Sequence, residues 1–250
     1  MMHNRSARGP AAALAVVAIL LTGCNDDSGP RAGTGADSPP SSSSGDLVQA
    51  TRLADVAALD TPLAPGRYAM GFASEQADAP MVVVDVPAGY LGRGDGYEIT
   101  AQEGGFRHFD TWTVADVATQ SCGDTSWVDP GPSVGDLADA LAELPVWEST
   151  RPTPTTIGGH EGVVMELNVP ARIPARCHGE LYSWREHTGG TQGIGAGKTQ
   201  RLWIVDVDGH RLMLVLGYFP GPGGPARDLV DEMVQMAEGA TFVDADQVAP

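Results

Sequence analysis

Arg201 to Phe219 constrains this chain more than any other stretch: two long apolar runs joined at Asp208-Gly209. An Asp-Gly dipeptide suits the positive-φ positions of a two-residue type I′ turn, the common link of a tight β-hairpin. A turn there pairs Val207 with His210, Asp206 with Arg211, Val205 with Leu212 and Trp203 with Leu214. Side chains alternate between faces along a strand. Leu202, Ile204, Met213 and Val215 therefore share one face, and Trp203, Val205, Leu212 and Leu214 share the other. Both faces are apolar. The hairpin is expected in the middle of a sheet that is covered on both sides. Near the turn, Asp206 and Arg211 are expected as an exposed ion pair.

The cover is expected to be helical. Pro225 to Glu238 places Leu229, Val230, Met233, Met236 and Ala237 on one stripe, and Gly239 ends it. A second helix opens at Ser133, whose hydroxyl can accept backbone N–H groups while Asp136 favours the positive helix end. Val134, Leu137, Leu141 and Leu144 lie on its apolar face, and Pro145 stops it. A short helix or an extended lead-in fits Asp46 to Leu59. Strands are expected at Met81–Val86, Tyr97–Thr100 and Phe106–Val117, the last running towards Cys122. A hairpin of Thr153–Ile157 and Val163–Val169 flanks Gly158 to Gly162. Glu180–Trp184 reads as a short strand, 188–199 as a Gly-rich loop, and Thr241–Val243 as an edge strand. Strand runs with one helix midway and one at the end, without βαβ alternation, predict an α+β fold. It is an antiparallel sheet with helices packed on it, in one globular unit over 47–250.

The N-terminal region sets the compartment. Arg5 and Arg8 precede an unbroken apolar run over 11–22, the form of an export signal and too short for the roughly 20 residues of a spanning helix. Leu21-Thr22-Gly23-Cys24 closes it. This resembles the bacterial lipoprotein signal, which implies a signal peptide over 1–23, acylation of Cys24 and attachment to the outer face of the cell membrane. Stable attachment takes more than one acyl chain, and a diacylated cysteine supplies it. Residues 24–46, rich in Ser, Gly, Asp and Pro, read as a flexible linker of about 25 Å r.m.s. span. Without the signal, 13 basic residues face 32 acidic ones, a charge of −19. Such a chain repels phosphate backbones, which argues against nucleic acid as a partner. Two cysteines remain, Cys122 and Cys177, and in an oxidising compartment they are expected to pair. The competing arrangement, zinc held by Cys122, Cys177, His178 and His187, lacks ligands at the close spacing metal sites show. No metal or other cofactor is expected.

Several segments together carry a wider resemblance. Val86-Pro87-Ala88-Gly89-Tyr90, a Trp-bearing strand, Asp129-Pro130-Gly131-Pro132-Ser133-Val134, Gly158-Gly159-His160-Glu161-Gly162 and Trp203 to Gly209 precede a final amphipathic helix. Across most of 65–245 this is similar to lipoproteins of Nocardioides-type actinobacteria. More distantly it resembles the fold of the photosystem extrinsic protein PsbP, a sheet between helices. An Arg-biased composition with Lys198 as its single lysine accords with a GC-rich actinobacterial genome. The resemblance implies a non-catalytic binding or assembly role and supplies no catalytic residues.

Motifs that suggest chemistry fail their context. Gly131-Pro132-Ser133-Val134-Gly135 has the G-x-S-x-G form, but Pro-Gly-Pro before Ser133 is not the strand a nucleophile elbow requires. Ser133 reads as a helix cap. Gly193 to Thr199 looks like a phosphate loop, yet Gln192 stands where that pattern needs Gly, and the segment reads as a flexible loop. His160-Glu161 lacks the second His of a zinc protease, since Val164 holds that position. Of the five Trp residues, Trp127 and Trp147 flank the Ser133 helix in turn-like sequence and are expected exposed, as ligand-stacking candidates. The residues therefore point to an envelope protein with a non-catalytic domain for a ligand or protein partner. The alternative is an envelope hydrolase using Ser133 or a carboxylate pair.

Overall fold

A computed structural model describes residues 47–57, 60–73, 79–93, 96–123 and 125–249. The expected signal peptide 1–23, Cys24 and the whole of the expected linker over 24–46 lie outside the described residues. In chain order the elements are β1 (Thr51–Arg52), α1 (Leu53–Val56), β2 (Thr61–Pro62), β3 (Gly66–Met70), β4 (Met81–Val86) and β5 (Tyr90–Arg93). Then come β6 (Glu98–Ala101), β7 (Arg107–Trp112), β8 (Asp116–Ala118), β9 (Trp127–Val128), α2 (Val134–Ala142), β10 (Glu148–Ser149) and β11 (Thr153–Ile157). The rest are β12 (His160–Asn168), β13 (Glu180–Arg185), β14 (Thr191–Gly195), β15 (Thr199–Val207), β16 (His210–Tyr218), α3 (Arg227–Glu238) and β17 (Thr241–Val243). The fold class is α+β. No helix among the described residues is long and apolar enough to cross a membrane.

A nine-stranded antiparallel sheet runs β10-β12-β15-β16-β7-β6-β5-β2, with β11 also paired to β12. The β15–β16 hairpin sits in its middle, in the register expected from the Asp-Gly turn. Asp208 and Gly209 both take positive φ, 52° and 87°. Trp203, Val205, Leu212 and Leu214 meet Met233, Met236 and Ala237 of α3 together with β3 and β4. The opposite face carries Leu202, Ile204, Met213 and Val215 against Leu137, Ala138 and Leu141 of α2, together with β8, β13 and β14. Each face is thus covered by one helix and one small sheet, and the covering sheets are β1-β3-β4-β17 and β14-β13-β8-β9. Helices alone were expected. The small sheets exist because α2 and α3 are too short to cover nine-residue strands paired side by side.

A third, smaller cluster joins the two ends of the described chain. Val48 bridges Val248 in parallel, and Val248 packs with Ala69 and Val83. On the opposite side Cys122 and Cys177 are joined as a disulfide with Cα atoms 4.5 Å apart, 55 residues apart in sequence. Closing a loop of that length stabilises by about 4 kcal/mol in the chain-entropy account.

Four local expectations change. Arg211 faces Asp206 across the strands but does not pair with it. Its guanidinium donates to the carbonyls of Gly131 and, at 2.9 Å, Val114. Two partly buried carbonyls outcompete a solvated carboxylate, and Asp206 instead accepts the Gly209 N–H at 2.9 Å. The strand expected over Phe106–Val117 divides: β7 stays in the large sheet and β8 passes into a small one. The segment 188–199 is not all loop, because 191–195 pairs with β13. The Gly158 hairpin turns more tightly than expected, on Gly158-Gly159, so that His160 and Glu161 already belong to β12.

Candidate functional site

Strand register brings a set of polar side chains to one face of the large sheet. Gly217 of β16 pairs with His108 of β7 on one side and with Gln200 of β15 on the other. His108 in turn pairs with Thr100, and two residues further in Asp110 pairs with Glu98. By the period of two, these residues share the face that deeper in carries Trp112, Val215 and Leu202. The row therefore changes from polar to apolar along the strands. At the outer end of the same face Phe106 and Phe219 stand with ring centroids 5.6 Å apart, 43% and 37% exposed.

Behind those rings the polar residues are buried: Gln200 fully, Asp110, His108 and Lys198 nearly so. Lys198 lies just before β15, with Nζ 5.2 Å from the centre of the Phe106 ring. It makes no side-chain hydrogen bond or ion pair among the described residues. Nδ1 of His108 is 3.7 Å from Oε1 of Glu98, which also accepts from the Thr100 hydroxyl at 3.0 Å and from Arg93 at 3.4 Å. The carboxylate favours the imidazole proton on Nδ1, leaving Nε2 as the acceptor. That Nε2, Oδ1 of Asp110 and both polar atoms of the Gln200 amide have no protein partner. Gly217 makes room for the convergence. A methyl group on its α-carbon would stand 2.0 Å from Nε2 of His108 and 2.8 Å from Cε of Lys198, so both side chains close over the same bare backbone.

The electrostatics follow from burial and from this grouping. Burial works upward on Glu98, but the neighbouring imidazole, Arg93 and the Thr100 hydroxyl outweigh it and hold the carboxyl at about 2. Burial pushes Asp110 up, opposed by His108 and Lys198 and reinforced by Glu98. Burial pulls the Lys198 ammonium down, opposed by Asp110 and Glu98. An incoming anion meets the Glu98 carboxylate, while burial favours the uncharged forms of Asp110 and Lys198. The site therefore suits a neutral ligand with an apolar body for the Phe pair and polar atoms for the inner row.

The other face holds a separate group. Tyr90 donates to Glu232 of α3 at 2.5 Å, and the Arg107 guanidinium lies 5.5 Å from its ring centre. Burial, with that hydrogen bond, pushes the phenol up to about 12. Glu232 also lines a shallow cavity of about 390 Å³ with Asp85, Pro87 and Met236.

The residues singled out from sequence are placed elsewhere. Ser133 caps α2: its hydroxyl accepts the Asp136 N–H at 3.0 Å, and its own N–H donates to the Asp136 carboxylate at 2.9 Å. That reciprocal box occupies the oxygen a hydrolase would use. Trp147, expected at the surface, is 8% exposed and packs under α2. Trp127 is half-buried, edge-on to Tyr182 and beneath the Arg185 guanidinium. The two do not form one stacking surface, because the short strand carrying Trp127 holds its ring in the small sheet while the turn after α2 folds Trp147 inward. No group of three or more His, Cys, Asp or Glu residues placed to hold a metal occurs among the described residues. Glu98, His108, Asp110, Lys198 and Gln200 were not picked out from sequence. The available signal was His108 and Asp110 on either side of Phe109, at alternate positions, which puts both on one face of a strand.

No family model matches this chain, and neither does any curated relative. Among solved structures, LpqN of Mycobacterium tuberculosis, described as involved in cell envelope biogenesis, is similar over 71% of this chain and 90% of that one. The identity is 12% and the TM-score 0.37. A likeness of that degree carries no role across.

Proposed function

We propose that this chain is a lipid-anchored protein of the cell envelope whose α+β domain binds a small neutral ligand without transforming it at Ser133. The Leu21-Thr22-Gly23-Cys24 signal supports the anchor, and the segments over 65–245 support the reading as an actinobacterial lipoprotein of the PsbP-like kind. One observation carries the binding role: an exposed Phe106–Phe219 pair stands over nearly buried side chains whose polar atoms lack protein partners. Buried polar groups are ordinarily paired, and leaving several unpaired in one place costs about 1–3 kcal/mol each. Their retention beside an exposed aromatic pair fits a surface completed by a ligand.

The test uses the full chain carrying Cys24→Ala, which removes the acyl anchor and leaves every residue of the site in place. Its loss from the membrane fraction checks the anchor. Benzyl alcohol, neutral and aromatic, is then titrated against the ¹⁵N-labelled protein. Shifts confined to Phe106, His108, Gly217 and Phe219, and lost in Phe106→Ala, are the expected outcome. Shifts scattered over the surface, or none, overturn the binding role.

A further inference from the structure

We propose that Lys198 is a nucleophilic amine that captures a carbonyl compound, an aldehyde, as an imine, with His108 moving the protons and Glu98 holding the imidazole tautomer. The inference rests on the reading of the sheet end as a binding site and names the ligand class of that site.

Three observations converge. Lys198 is the single lysine of the 250-residue chain, and it is 7% exposed, where lysine is seldom found without a partner. Its stem crosses Gly217 beside Nε2 of His108, the imidazole atom left without a partner. The line Glu98–His108–Lys198 thus sets a carboxylate behind an imidazole and the imidazole beside the ε-carbon that bears the amine. This is the order in which a positioned base serves a nucleophile. Finally, the Glu98 carboxylate behind Lys198 disfavours an anionic ligand, and the Phe106–Phe219 pair suits an uncharged apolar body. A neutral electrophile is the class that both accept.

Burial also favours the uncharged amine, the form that reacts. In the capture, the Lys198 nitrogen forms a bond to the carbonyl carbon, and the π pair moves to oxygen. Nε2 of His108 carries one proton from nitrogen to the alkoxide, giving the carbinolamine, and then a second from nitrogen to the departing hydroxyl. The C–O bond breaks, water leaves, and the nitrogen lone pair closes the C=N bond. One amine and one aldehyde give one imine and one water, with no oxidant or reductant. Asp110 and Gln200 face the polar atoms of the captured ligand. Phe106 and Phe219 flank its apolar part.

The test treats the full Cys24→Ala chain, also carrying Arg227→Lys as an internal reference, with benzaldehyde and sodium cyanoborohydride, which reduces imines to stable amines. Arg227 is 94% exposed, so a lysine there reports the reactivity of an ordinary amine. Peptide mapping should find Lys198 labelled at least about tenfold faster than position 227 near neutral pH. His108→Gln should flatten the pH dependence of labelling at Lys198 while labelling at 227 stays as before. Equal or slower labelling of Lys198 in a chain that still binds benzyl alcohol overturns the inference and leaves the binding role standing. A chain that binds neither compound overturns both.

Discussion

Gly217→Ala isolates the geometry on which the site depends. The position carries no positive φ, so the backbone accepts alanine and only space decides the outcome. The added methyl would stand 2.0 Å from Nε2 and 2.5 Å from Cδ2 of His108. An ordinary contact is about 3.5 Å or more, so the ring must retreat by about 1.5 Å. It has little room, being nearly buried and held against Glu98. Overpacking of this kind costs about 1–3 kcal/mol, and alanine in place of glycine in a strand recovers about 0.5–1. A net loss of about 1–2 kcal/mol follows, read as a fall in Tm of roughly 2–8 °C for a domain of this size. The decisive comparison repeats the substitution in His108→Ala. There the methyl meets only the flexible end of Lys198, so the loss should vanish, a coupling of about 1 kcal/mol or more in urea unfolding. An alanine tolerated within about 0.5 kcal/mol in the parent chain, or equally costly in both backgrounds, refutes the placement of His108 over Gly217.

Two further perturbations address the cap and the buried charges. Ser133→Ala should cost about 0.5–2 kcal/mol of stability, and Asp136→Ala should add little more once the box is broken. Additive losses in urea unfolding would show that the two do not act as one box. Asp110 titrates above its ordinary range when folded, so the folded chain keeps a proton that the unfolded chain has released. Stability therefore declines as pH rises from the ordinary carboxylate range through the raised value. Asp110→Asn should remove the decline that sets in as pH rises above the ordinary carboxylate range, and a variant retaining it refutes the assignment. Glu98 has the opposite sign: its contribution is complete above the ordinary glutamate value and is lost as pH falls towards about 2.

The parts of the fold legible in sequence are those governed by local rules. Asp208-Gly209 determines its own turn, and the turn determines which residue faces which along nine pairs. Alternation then assigns each side chain to a face, and amphipathic stripes identify the buried sides of α2 and α3. What escaped detection depends on neighbours distant in sequence. Arg211 abandons Asp206 for carbonyls brought in by the segment before α2, 80 residues away. Lys198 was read inside a glycine-rich loop resembling a phosphate site. Its burial comes from Gly217 and His108, over which its stem lies, and from Phe106, which precedes β7. Asp110 and Glu98 meet only because β6 and β7 pair. A polar residue in an apolar run indicates its face but not its companions, so this site needed the register.

The bridge between Val48 and Val248 bears on the order in which the molecule can be completed. Val83 of β4 lies between β3, synthesised just before it, and β17, synthesised about 160 residues later. Until the C-terminal residues emerge, the face formed by Ala69 and Val83 lacks Val248 as its cover, and one edge of β4 lacks its neighbour. Closure of this sheet waits for residues 241–248, a long-range pairing of the kind that slows folding. A chain threaded through a narrow pore from its N-terminus would hold this region open throughout its passage. The segment around Val248 would act as the clasp.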